Sequence, residues 1–166
     1  MEYAVGGALA LGVWGAPRLT KDVYISVFVS PTAIDRVSDT LERAGMIFDR
    51  QRAPHDIARI GLFKGRLGGV TIDVFVSLHP HFLEMQRRRV KVEGDDGTHL
   101  YFISAEDLCI MKLVYGRDKD HADLDRMFAV RHIEVTYVRS WVERMPVPHD
   151  RVAWIDDLVR RFSVNR

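Results

Sequence analysis

Two carboxylates and a pair of glycines carry the chemistry that this sequence offers. Asp22 lies in RLTKDVYISVFV (residues 18–29) and Asp73 in VTIDVFV (residues 70–76). Both stretches alternate, so each reads as a strand with one apolar face. Val23, Ile25, Val27 and Val29 share one face of the first, and Asp22, Tyr24, Ser26 and Phe28 the other. In the second, Val70, Ile72, Val74 and Val76 oppose Thr71, Asp73 and Phe75. Two carboxylates from neighbouring strands make a site for a hard cation such as Mg2+. Asp22 and Asp73 are therefore the candidate catalytic and metal-holding residues. Asp73 sits in a strongly apolar strand, where an unpaired carboxylate is costly. Gly6 and Gly7 stand at an expected helix start, where free backbone N–H groups and the positive dipole end suit a phosphate. Arg18 and Lys21 lie close by in the chain. The plain alternatives are close helix–strand packing at the glycines and an ordinary strand-edge acid at Asp22.

The elements around these residues follow from pattern. GGALALGVWG reads as a turn into a short helix ending near Gly15. The run SPTAIDRVSDTLERAG is a helix that Ser30 can cap, that Pro31 suits at its first position and that Gly45 ends. Its Ile34, Val37 and Leu41 are spaced to meet a core. RIGLFKGRLGGVTIDVFVS reads as two strands joined by a turn containing Gly65, Gly68 and Gly69. HPHFLEMQRRR reads as a short helix, and VKVEGDDGTHLYFIS as a hairpin. Ser104 opens a helix that ends at Gly116, with Asp107 placed as a capping-box acid. Three more helices are expected in KDHADLDRMFAV, VTYVRSWVERM and RVAWIDDLVRRF. The expected class is α+β. A single domain over residues 1–166 carries its sheet core in 1–103 and a helical part in 104–166.

At 166 residues, the chain has room for one compact domain. Its net charge of +1 means that nucleic-acid contact would need a local patch. The run RRRVK (residues 87–91) reads as a solvated face, with contact to RNA phosphates as the alternative. The one cysteine, Cys109, excludes an internal disulfide and sits in an apolar run. The N-terminal apolar run opens with Glu2, lacks a basic leader and is too short to span a bilayer. A cytoplasmic protein without a membrane segment is expected.

The stretch VGGALALGVWGAPRLTKDVY resembles the opening of the minimal nucleotidyltransferase superfamily. It is most similar to the AbiEii-type proteins of bacterial toxin–antitoxin and abortive-infection systems. Their pattern is a Gly-Gly or Gly-Ser at a helix start, then Arg-x-Thr-x-Asp-x-Asp, with a third acid on a later strand. Asp73 matches that acid, and SAEDLCIMKLVYGRDKDHADLDRMF resembles the family's later helices. The resemblance covers roughly residues 3 to 130. It implies a small mixed sheet flanked by helices, a nucleoside triphosphate substrate and Mg2+ as cofactor. The implied activity is nucleotidyl transfer to a hydroxyl on an RNA, such as a tRNA, or on a protein. A cognate antitoxin is the implied protein partner. Gly6, Gly7, Arg18, Thr20, Lys112, Arg117, Lys119 and Asp120 become the implied nucleotide-binding residues. Read from the residues alone, Lys112 is a snorkelling lysine, and Arg117, Lys119 and Asp120 are capping groups that pair with one another.

Tyr24 departs from the family pattern. The second acid of Asp-x-Asp falls on Tyr24. A neutral phenol is a poor magnesium ligand and adds bulk where a cation belongs. One cation held by Asp22 and Asp73 is expected, with two-metal transfer impaired. A nucleotide- or RNA-binding module that has lost catalysis is the alternative.

Overall fold

The computed structural model describes residues 1–76 and 79–163. Seven strands form one sheet: β1 (Tyr3–Gly6), β2 (Asp22–Val27), β3 (Ile47–Phe48), β4 (Leu62–Leu67), β5 (Val70–Val76), β6 (Val90–Glu93) and β7 (His99–Phe102). Their order is β3-β4-β5-β2-β1-β7-β6. The β2/β5 and β1/β7 pairs are parallel and the remaining neighbours antiparallel, so the sheet is mixed. Eight α-helices complete the described fold: α1 (Gly7–Val13), α2 (Ile34–Arg43), α3 (Ala53–Ile60), α4 (His81–Arg88), α5 (Ala105–Tyr115), α6 (Asp118–Val130), α7 (Val135–Val142) and α8 (Asp150–Ser163). The class is α+β, as the sequence pattern requires. The chain divides into two compact units, Met1–Leu9 with Leu19–Ile103, and Ala10–Arg18 with Ser104–Arg166.

The first unit holds the whole sheet. A core of Val27, Val37, Leu41, Met46, Ala53, Ile57, Phe63, Ile72, Val74 and Val76 joins its apolar face to α2 and α3. Val23 and Ile25 pack against that core, so the alternation in β2 fixes which side is buried. Asp22 and Tyr24 consequently take the opposite side. A 3-10 turn (Pro31–Ala33) precedes α2, and the Ser30 hydroxyl accepts from the Thr32 amide at its start.

One glycine differs from expectation. Gly65 lies inside β4, and Gly68 and Gly69 alone make the β4–β5 turn. A Cβ on Gly65 would come within 2.8 Å of the Ile47 carbonyl oxygen and 2.9 Å of the Phe48 Cβ. The glycine therefore lets β3 approach β4 closely, which is a packing role and not a turn role.

In the second unit, α5 packs on α6 and α7, and α8 packs on both of those. Ser104 caps α5 by accepting from the Asp107 amide at 3.1 Å and donating to its carboxylate at 2.6 Å. The Tyr137 hydroxyl donates to the other oxygen of that buried carboxylate at 2.8 Å. Cys109 is fully buried on α5, and desolvation by burial pushes its thiol pKa well above the ordinary value. Since only the thiolate reacts readily, native protein should resist a thiol reagent such as DTNB. The stoichiometry should rise to one per chain in denaturant. Fast reaction of native protein would contradict this packing.

Among the described residues, no helix is long and apolar enough to cross a membrane.

Candidate functional site

Strand register sets the polar face of the first unit. Lys64 on β4 stands opposite Asp73 on β5, Asp73 opposite Tyr24 on β2, and Tyr24 opposite Gly6 on β1. Directly opposed residues share a sheet face. One row thus reads Lys64, Asp73, Tyr24, Gly6 across four strands. The neighbouring row reads Arg66, Thr71, Asp22. Asp22 and Asp73 are diagonal neighbours on one face of adjacent parallel strands, as the alternation of both strands requires.

Each acid has its own support. The Thr20 hydroxyl donates to the Asp22 carbonyl at 3.0 Å and lies 3.3 Å from its Oδ1 and its amide. Thr20 thereby holds the start of β2 and the carboxylate in place. Asp73 is 4% exposed. Its Oδ2 accepts from Lys64 Nζ at 3.0 Å, while its buried Oδ1 has no hydrogen-bond partner among the described residues. A buried carboxylate oxygen left without a donor is uncommon and marks a place where a further ligand fits.

Tyr24 fills the space beside these acids. Its ring lies 5.5 Å from that of Phe75. It also covers Gly7, where an added Cβ would lie 2.9 Å from Tyr24 Cδ2. Gly7 has φ +62°, a conformation that favours glycine. The Gly6–Gly7 turn is therefore the floor on which the tyrosine ring rests, and α1 after it is only seven residues long.

The remaining sequence candidates lie in the second unit. Lys112, 4% exposed, donates to Asp123 at 2.5 Å and lies 3.6 Å from Asp120. Arg18 grips the same Asp123 carboxylate with Nε at 2.9 and 3.1 Å and a terminal nitrogen at 3.1 Å. Arg117 donates to Asp120 from its Nε at 2.7 Å and from its backbone amide at 3.2 Å. Its guanidinium lies over the Tyr115 ring. Asp123 is the residue that sequence reading missed, although Asp120 and Asp123 stand three apart on α6, on one helix face. Burial acts to raise the Asp123 pKa, but hydrogen bonds from Arg18 and Lys112 outweigh it and hold the value below the ordinary one. Lys119 is exposed on the first turn of α6 and stands outside this ion cluster. In the first unit, the basic run 87–91 meets local acids: Arg87 pairs with Glu84, Arg89 with Glu2 and Lys91 with Glu93.

The sequence of residues 5–162 matches the family described as "Nucleotidyltransferase of unknown function (DUF6036)". The chain belongs to this nucleotidyltransferase family. No curated protein matches it. Among solved structures, the fold is similar to "lincosamide antibiotic adenylyltransferase LnuA, lincomycin-bound". The TM-score is 0.52 at 14% identity, covering 78% of this chain and 87% of the other. At that identity the likeness concerns the fold alone.

Magnesium takes one or two protein carboxylates and leaves its other positions to water and substrate phosphates. Asp22 and Asp73, the latter with an Oδ1 unpartnered among the described residues, are the side chains on this face that could hold one such ion. Among the described residues, no group of three or more His, Cys, Asp or Glu could hold a metal. Tyr24, a phenol directly opposite Asp73, adds no carboxylate to that pair.

Proposed function

We propose that this nucleotidyltransferase binds a nucleoside triphosphate with one Mg2+ on the Asp22–Asp73 face, and that Tyr24 holds nucleotidyl transfer to a low rate. The row Lys64–Asp73–Tyr24–Gly6 supports this reading, because Tyr24 stands directly opposite Asp73 and the AbiEii-type pattern has its second acid at that position. Asp22 and Asp73 hold the cation, and Thr20 orients Asp22. When bound, magnesium neutralises the triphosphate and favours charge development on its leaving group. The protein's own part is positioning and electrostatics. Arg18, Lys112, Arg117, Lys119 and Asp120 stay in the proposal as the groups that the resemblance assigns to the nucleotide, together with Gly6 and Gly7.

The acceptor in this proposal is a hydroxyl on an RNA, such as a tRNA, or on a protein. The AbiEii-like motifs support a toxin-like role in the cytoplasm of a bacterium, with a cognate antitoxin as partner. A second reading is favoured by one observation: Lys64 already neutralises Asp73. In that reading the chain is a nucleotide- or RNA-binding regulatory module without transfer activity.

Incubation with each labelled triphosphate, Mg2+ and total RNA or cell lysate separates the two readings. Label that appears on RNA or protein, and disappears for Asp73→Asn, supports transfer. Triphosphate binding without label transfer supports the module. Absence of both overturns the proposal.

A further inference from the structure

Lys64 stands on the candidate face but belongs to no motif. It is 62% exposed in its side chain, whereas the Asp73 side chain it caps is 5% exposed. It lies directly opposite Asp73 in the β4/β5 register, so the contact is built into the strand pairing. A buried carboxylate needs a positive charge or donors. In the chain alone, Lys64 Nζ supplies that charge on Oδ2 at 3.0 Å, while Oδ1 has no hydrogen-bond partner among the described residues.

Resting on the Proposed function above, the geometry points to Lys64 as a built-in counter-ion that makes cation binding at Asp73 depend on the nucleotide. A cation arriving alone at Asp22 and Asp73 meets the Lys64 ammonium as a like charge a few ångströms away. That repulsion weakens binding. A triphosphate removes the conflict. The ammonium sits on a flexible four-carbon stem, is mostly exposed, and transfers its contact from Asp73 to a phosphate oxygen. Cation and nucleotide then bind cooperatively, and each raises the other's affinity by the same factor. Lys64 is thus a triphosphate-contacting residue that also sets the order of loading. Phosphate ligation of the cation couples the two ligands by itself, and an ion pair that merely steadied the β4/β5 pair would add nothing to that coupling.

The test measures Mn2+ binding to the full chain by electron paramagnetic resonance, with and without a non-hydrolysable ATP analogue. Wild type should bind Mn2+ weakly alone and more tightly with the analogue. Lys64→Met should bind Mn2+ alone about tenfold more tightly, a step of about 1.4 kcal/mol, and should lose that part of the coupling, keeping what phosphate ligation of the cation supplies. Lys64→Arg should keep the wild-type pattern. Lys64→Gln replaces Lys64→Met should that variant fail to show a cooperative melt. Wild type that couples the two ligands while a folded Lys64→Met or Lys64→Gln behaves identically overturns the role of Lys64 and leaves the Mg2+–nucleotide reading standing. Wild type that binds neither ligand overturns both.

Discussion

Tyr24→Asp is expected to raise nucleotidyl transfer about tenfold or more over the parent chain. Tyr24 shares a strand face with Asp22 and stands directly opposite Asp73. A carboxylate there completes three acids on one face and adds the bridging position that a second cation needs. Each 1.4 kcal/mol recovered in the barrier is about tenfold in rate. The substitution also removes a ring that packs on Phe75 and covers Gly7. Some stability will be lost, and a melting curve must show that the variant is folded. The assay is label transfer from triphosphate to total RNA and protein. A folded, triphosphate-binding Tyr24→Asp chain with transfer no higher than the parent would defeat the idea and favour the binding-module reading.

Asp123→Ala should cost about 3–5 kcal/mol of stability, the range for breaking a buried pair and stranding its partner charge. Lys112 is buried and loses its nearest carboxylate, keeping Asp120 at 3.6 Å. Arg18 loses a two-oxygen grip. Asp123→Asn should cost less than the alanine but still a large part of it, because it keeps the shape and removes the charge. The difference should depend on pH. The folded-state pKa of Asp123 is depressed, so its contribution is fully present above its ordinary value of 3.8 and is lost as pH falls through the lower folded value. Urea midpoints of wild type and Asp123→Ala should therefore converge in strong acid. A loss under about 1 kcal/mol at neutral pH, a level ordinary for exposed pairs, would contradict the burial of this cluster.

The parts of the fold with a strong period were legible in the sequence. Alternation in β2 and β5 assigned the faces of Asp22 and Asp73, because a one-residue slip would have exposed Val23, Ile25 and Ile72. Ser30, Ser104 and Gly116 marked helix ends through cap chemistry that acts locally. Three elements were not legible. Strand β1 is a four-residue apolar run, too short for a period, and its role comes from its neighbours β2 and β7. Strand β3 has two residues. Helix α3 buries only Ala53 and Ile57, so it lacks an apolar stripe. Its signals were Asp49, whose carboxylate accepts from the Gln51 and Arg52 amides, then Pro54 in the first turn and Gly61 at the left-handed end. At the site, the place of Tyr24 over Gly7 and the pairing of Lys64 with Asp73 needed strand register, which no local pattern encodes. Asp123 was hidden for a related reason: its partner Arg18 lies 105 residues away in the chain, and Lys112 stands on the preceding helix.

Calorimetric titration of wild type and Asp73→Asn with a triphosphate, in Mg2+ and again in EDTA, tests the central claim most directly. Asp73→Asn keeps the side-chain shape and removes the charge. Wild type should bind at least about tenfold more tightly in Mg2+ than in EDTA, and Asp73→Asn should lose most of that gain, since a cation held by one carboxylate fewer contributes correspondingly less. Equal affinity of the two proteins in Mg2+, with wild type indifferent to EDTA, would contradict a cation-assisted nucleotide site at Asp22 and Asp73.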